Sequence, residues 1–205
     1  MPRKWALLLI FLLFIPGLYA QEISSEDEPD ATIEEDEKGY IPSLYTLGDK
    51  TFTISAGVAF PIFFGGIPYN DHGIKKAGGL GSLAFNIFLT HGLFVGGEVS
   101  GMFIATRGGS MFYMIPIGAR IGYQFIIRRI EIPLSVMIGG APQIYLDENL
   151  FGLFFKGGVS VYWRFNPDWS FGINTYWWLV PQIPKSGPKV NGNFFELTVS
   201  ARYHF

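Results

Sequence analysis

The sequence predicts an all-β fold, an eight-stranded antiparallel up-and-down transmembrane β-barrel. Three observations predict it. From Thr51 to Phe205 apolar residues alternate with small or polar ones in eight successive segments, the period of a strand with two different faces. Each segment is about ten residues or more, the length at which a tilted strand crosses a bilayer. The intervening connections alternate between tight and long, which is the arrangement of short turns at one end of a membrane barrel and longer loops at the other.

The chain of 205 residues begins with a targeting pattern. Arg3 and Lys4 precede an apolar run from Trp5 to Ile15, Pro16 and Gly17 break it, and Ala20 offers a small residue for cleavage. Residues 1–20 therefore read as a removable signal peptide, too short to span a membrane. Residues 21–41 read as an acidic, disordered leader. Glu22, Glu26, Asp27, Glu28, Asp30, Glu34, Glu35, Asp36 and Glu37 face a single base, Lys38, and self-repulsion with few apolar groups opposes packing. The leader is either a solvated spacer or a docking tail for a cationic partner. Residues 42–205 form the barrel domain.

In Thr51–Phe60 the apolar row is Phe52, Ile54, Ala56, Val58 and Phe60. It is Leu83, Phe85, Ile87 and Leu89 in segment 79–89, and Leu93, Val95, Val99 and Phe103 in 93–104. Segment 111–125 carries Tyr113, Ile115, Ile117, Ile121, Tyr123 and Phe125, and 130–140 carries Ile130, Ile132, Leu134, Val136 and Ile138. Segment 151–165 has Phe151, Leu153, Phe155, Val159, Val161, Trp163 and Phe165. Segment 169–179 has Trp169, Phe171, Ile173, Trp177 and Leu179, and 193–205 ends on Leu197, Val199, Ala201, Tyr203 and Phe205. Residues 90–92, 126–129 and 166–168 are the tight turns; 61–78, 105–110, 141–150 and 180–192 are the longer loops.

The opposite row decides which face is outside. It is mostly Gly, Ser, Thr, Ala and Asn, where a water-facing row would carry many charges; small groups suit the narrow interior of an eight-stranded barrel. In the apolar row, Tyr123, Phe125, Trp163, Phe165, Trp169, Phe171, Tyr203 and Phe205 gather at one rim. Phe60, Phe103, Tyr113, Phe151 and Trp177 lie toward the other, which gives two interfacial girdles. The apolar row faces lipid.

With this pattern, and with a last strand that closes on Ala201-Arg202-Tyr203-His204-Phe205, the chain resembles the small outer-membrane barrels of the OmpA-transmembrane, OmpX and OmpW type over residues 42–205. The resemblance implies an outer-membrane location with the N-terminus in the periplasm. It also implies that Tyr203 and Phe205 form the signal read by the barrel-assembly machinery. The acidic leader is not typical of these families.

Seven charged residues fall in the inward row: Glu98, Arg120, Glu131, Lys156, Arg164, Glu196 and Arg202. Buried charge is costly unless paired, so they form either a structural ion-paired plug or a gated ion path. Nearer the long loops the inward row becomes apolar, with Met102, Ile104, Phe112, Met114, Pro116, Met137, Phe154, Tyr176, Trp178 and Phe194. These residues form a cup that either takes a small hydrophobic ligand or fills the mouth with side chains. Resemblance to OmpW-like barrels, which are associated with small hydrophobic compounds, favours the first.

Enzymatic chemistry is not expected. With no cysteine, thiol nucleophiles and cysteine metal sites are excluded, and no cofactor or metal motif is present. His72 and Ser110 in adjacent loops only weakly resemble the layout of lipid A palmitoyltransferase barrels. His91 and His204 read as rim residues. The loop charges Lys75, Lys76, Arg107, Lys185 and Lys189 against Asp71, Asp147 and Glu148 are too few for nucleic acid; lipid phosphates or host polyanions are alternatives to simple solvation. Two functions follow as expectations: a porin-like barrel that binds or passes small hydrophobic molecules, or a structural or adhesive surface protein acting through its extracellular loops. The expected partners are outer-membrane lipid, the barrel-assembly machinery and a small hydrophobic ligand.

Overall fold

The computed structural model describes residues 44–64, 67–68, 77–105, 111–145, 148–182 and 190–205, all within the compact unit Tyr40–Phe205. The signal peptide, the leader, His72, Ser110 and the charges Asp71, Lys75, Lys76, Arg107, Asp147, Lys185 and Lys189 lie outside the described residues.

The strands are β1 (Lys50–Phe64), β2 (Ile67–Pro68), β3 (Gly78–Phe88), β4 (Leu93–Ala105), β5 (Met111–Met114), β6 (Ile117–Ile127), β7 (Ile130–Tyr145), β8 (Glu148–Arg164), β9 (Trp169–Gln182) and β10 (Val190–His204). Successive strands pair antiparallel, and β10 closes on β1 from Thr51↔His204 to Phe64↔Gly192. β2 is a short return against the end of β1. β5 and β6 are two parts of one barrel strand, both paired with β4 and β7. The barrel therefore has the eight strands that the alternation predicts. Closure matters because hydrocarbon offers no partner for an unpaired backbone N–H or C=O.

Two local expectations are corrected. Segment 111–125 is not one continuous strand: it breaks at Ile115-Pro116, because proline has no N–H for the ladder. There, Ser100 N–H donates to the Pro116 carbonyl (2.9 Å) and Ile115 N–H to the Pro142 carbonyl (3.0 Å). Segment 141–150 is mostly ladder, since β7 and β8 stay paired up to Tyr145↔Glu148. The loops 61–78 and 180–192 are likewise shortened by the ends of β1, β9 and β10. The strand pairing thus runs well into the long-loop end.

The two rows sort as the alternation requires. Ile54, Val136 and Val199 on the outside are 52%, 60% and 64% exposed, whereas Glu131 and Trp178 inside are fully buried. An apolar exterior around a polar and charged interior is the reverse of a water-soluble barrel and fits a lipid surround. At the tight-turn rim the predicted girdle forms a run of touching rings. Trp163 meets Phe165, Phe165 meets Phe171, Phe171 stacks on Trp169, and Trp169 meets Tyr203. Tyr203 packs edge-on against Phe205, whose ring lies 6.4 Å from Phe85 across the closing seam.

Candidate functional site: the barrel lumen

All seven inward charges are buried, and they gather into two knots. The middle knot takes one residue from each of four strands. Lys156 on β8 donates to Glu98 on β4 (2.6 Å) and lies 2.8 Å from Glu196 on β10; Arg120 on β6 reaches the other oxygen of Glu98 at 3.3 Å. Register explains the meeting. Arg120, Met137, Lys156 and Trp178 are successive cross-strand partners, so closing the barrel sets them around one level. Ser100 donates to Glu98 (2.9 Å), and Trp178 Nε1–H to Glu196 (2.7 Å). The Lys156 ammonium also sits 4.4 Å and 4.5 Å from the ring centres of Tyr176 and Trp178, a favourable cation–π geometry.

The lower knot lies at the tight-turn end. Glu131 on β7 accepts from Arg164 (2.9 Å) and Arg202 (3.4 Å). Arg202 also donates to Gln124 (2.9 Å) and lies over the Tyr162 ring at 3.6 Å. Glu131 has a third neighbour that the strand pattern does not reveal. Tyr45, from the segment before β1, enters the base of the barrel and stacks on Phe88, with ring centres 3.7 Å apart. Its hydroxyl donates to Glu131 (3.0 Å). Burial, with Glu131 beside it, pushes the phenol well above its ordinary pKa, so it remains a neutral donor. A small turn aims this side chain. Thr46 N–H donates to the Asp49 carboxylate (2.7 Å), Gly48 N–H to the Phe88 carbonyl (2.9 Å), and Gly48 takes a φ of 95°, open to glycine at no steric cost.

His204 lies at the tight-turn rim, as expected, beside Asp168 of the turn, but it points inward. Phe205 faces outward, so the strand period turns His204 into the lumen, where it is 6% exposed. Its Nε2 lies 2.6 Å from Ser170 Oγ and its Nδ1 3.0 Å from the Tyr45 hydroxyl. One donor order satisfies the chain: Ser170 to His204, His204 to Tyr45, Tyr45 to Glu131. Ser170 beside an imidazole has part of the layout of an activated nucleophile, but Tyr45 stands between His204 and the acid, and Ser170 is 0% exposed. No substrate atom reaches its Oγ in this conformation.

Toward the long loops the chemistry changes. Met102, Ile104, Phe112, Met114, Met137, Phe154, Tyr176, Trp178 and Phe194 come together, with Ala59, Leu80, Ala141 and Val180, into one buried cluster. Ile104, Met114, Phe154 and Trp178 have no exposed surface. Phe154 stacks on Trp178 (5.7 Å) and Phe112 on Phe194 (6.5 Å). The predicted cup is thus filled by its own side chains. Tyr176 belongs to both regions. Its ring joins the cluster, while its hydroxyl accepts from Arg120 (3.1 Å) and lies 3.1 Å from Ser160 Oγ. Within the polar interior, beneath the middle knot, a void of about 10 Å³ is bounded by Glu98, Arg120, Lys156 and Glu196 and by Ser55, Tyr162 and Asn174, room for about one water.

A protein-family model matches residues 30–203. An uncharacterized protein of Treponema pallidum (strain Nichols) is 31% identical over 133 residues, covering 64% of this chain and 61% of the relative; the match thus spans less than two thirds of that protein. An uncharacterized protein of Borreliella burgdorferi (strain ATCC 35210) is 27% identical over 183 residues, covering 74% of this chain and 82% of its own. Among solved structures, the crystal structure of Neisserial surface protein A superimposes with a TM-score of 0.61 at 12% identity, over 77% of this chain and 97% of that one. At that identity the likeness is one of fold.

Proposed function

The chain belongs to the family whose model matches residues 30–203 and has the fold of the small outer-membrane barrels, and from this premise we propose that it is a closed, non-conducting barrel of an outer membrane that acts as a structural or adhesive surface protein. One observation carries this reading: the lumen is occupied along its height. Tyr45, Phe88 and Phe94 pack together at the base, two ion-paired knots follow, and a packed apolar cluster tops them. Among the described residues, buried paired charge and packed rings fill the middle of the lumen, which supports a closed barrel whose contact with lipid or host falls to the long-loop end. The role proposed is a non-catalytic one. In this reading the tight turns and both ends of the barrel domain face the periplasm, and the assembly machinery reads Tyr203 and Phe205. Planar-bilayer recording on refolded protein tests the closed lumen. A flat baseline is expected; discrete conductance steps overturn the reading.

A second reading, binding or passage of small hydrophobic molecules through the cup, is favoured by the three methionines in the apolar cluster, Met102, Met114 and Met137. Methionine repacks at low cost, so a ligand could displace side chains there. Trp178 reports on it, because saturable quenching by an apolar probe requires entry beside that ring.

A further inference from the structure

The outer wall of the barrel is not uniformly covered. On β8 the outward row runs Phe155, Gly157, Val159, and Gly157 contributes no side chain. The gap opens a groove of about 630 Å³ on the outer surface, walled by Ile121, Leu134, Val136 and Val159. A second hollow of about 330 Å³ adjoins it at Val136 and Gly157, bounded by Phe155, Trp177 and Leu179. Both hollows are apolar over nearly all their surface. They lie midway along β8, between Phe151 at one end and Trp163 at the other.

Directly beside the groove the ladder between β7 and β8 is interrupted. Pairing stops at Glu131↔Tyr162 and resumes at Leu134↔Val159, with Pro133 in the gap, where a ladder N–H is missing. Groove and interruption share the strands β7 and β8, so this stretch of wall is both indented and less bound than its neighbours.

We propose that this groove is a resident site for one lipid acyl chain, distinct from the mobile lipid around the rest of the barrel. The position selects the occupant. Mid-wall, between two aromatic girdles, headgroups and soluble partners are out of reach, at the rims, and lipid hydrocarbon is the surround of the wall. The lining offers dispersion contact and no charge, as a methylene chain requires. A chain seated there packs over the half-buried Gly157, between Val136 and Val159.

The site has a direct test, because its floor tolerates a side chain. A Cβ on Gly157 would meet Val136 Cγ1 at 3.6 Å, an ordinary contact, so Gly157→Leu and the larger Gly157→Phe fill the groove without forcing the backbone. Refolded protein is reconstituted with phosphatidylcholine, exchanged into detergent, and examined by native mass spectrometry. The parent is expected to retain one phosphatidylcholine that both variants lose, while all three keep the heat-modifiable migration of a folded barrel. When the retained lipid carries dibrominated chains, Trp177 fluorescence, taken as the difference from Trp177→Phe, is expected to be quenched in the parent and to recover in Gly157→Phe. Equal retention and equal quenching in parent and variants overturn the proposal. So does a parent dimer that Gly157→Phe converts to monomer without loss of lipid, since the groove would then be covered by a second copy.

Discussion

The two halves of the lumen achieve the same closure by opposite chemistry. The base and middle use direction: Glu98 and Glu131 are each fixed by two bases, Glu196 by Lys156 and the Trp178 indole, and hydroxyls and amides fill the remaining positions. The half toward the long loops uses volume: rings and methionines interlock and make few hydrogen bonds. The difference follows from what each half must resist. A narrow polar interior cannot exclude water by size alone, so its charges must satisfy one another, and removing one partner strands the next. An apolar interior tolerates shape changes that preserve volume and responds mainly to cavities. Trp178 and Tyr176 join the two, each with a ring in the cluster and a polar atom on the knots below.

The largest expected effect is on the directional side. Glu131→Ala leaves Arg164 and Arg202 buried without their shared acid and frees the Tyr45 hydroxyl. The cost should reach the upper end of about 3–5 kcal/mol, read as a lowered midpoint of urea unfolding in detergent micelles. Arg120→Ala should cost clearly less, because Glu98 keeps Lys156 at 2.6 Å. Equal midpoints for the two variants would show that the knots are not separate units.

On the volume side, Phe154→Ala should cost about 3 kcal/mol, the low end of the range for a large ring, since the neighbouring methionines can move into part of the space. The same variant sharpens the contrast between halves. It should leave the base contacts of Tyr45 intact, so Tyr45-dependent effects on stability should add to it. Strong non-additivity would mean that the two halves are one cooperative core.

Adjacent glycines compare inside with outside on one strand. A Cβ on Gly158 would meet Tyr176 Cδ1 at 2.6 Å and Tyr176 Cα at 2.8 Å, so Gly158→Ala should destabilise by about 2 kcal/mol through overpacking. Gly157→Ala should change the midpoint little. If both variants behave alike, the assignment of Gly158 to the lumen and Gly157 to lipid is wrong.

The sequence discloses one of these halves better than the other. The period-two rows put Glu98, Lys156, Phe154 and Trp178 inside without any knowledge of neighbours, because one face of a strand is set locally. Which charges meet is not local. It depends on the stagger with which β10 closes on β1, and that is what brings Glu196 to Lys156 and Arg202 to Glu131. Hairpin height was illegible for a related reason: Gly139-Gly140 and Pro142 look like a loop entrance, yet the ladder with β8 carries β7 on to Tyr145. Filling of the cup was illegible too, because inward direction does not say whether opposing rings touch. Tyr45 left no periodic signal at all. Its only trace is the Thr46-Leu47-Gly48-Asp49 stretch that follows, a turn composition whose purpose appears only when the barrel base is present to receive the ring.

Tyr45 also sets the smallest effect and the finest test of the directional half. Tyr45→Phe keeps the stack on Phe88 and removes the hydroxyl. Glu131 still has two arginines, so no acid is stranded; what goes is the hydrogen bond to that charged acceptor, worth about 1.5 kcal/mol, together with the one between His204 Nδ1 and the hydroxyl. The sign of the pH dependence follows from the raised phenol. Its neutral form is favoured in the folded barrel, so its contribution is fully present below the unfolded phenol pKa of about 10 and declines as pH rises above that value. Parent and Tyr45→Phe should therefore differ by a constant amount at neutral pH and converge in strong alkali. Tyr45→Ala should lose more at every pH, because the ring that closes the base goes as well. If Tyr45→Phe and Tyr45→Ala unfold at the same midpoint, the ring contributes nothing. The segment before β1 would then only rest against the barrel, and closure of the base would fall to the ion-paired knots alone.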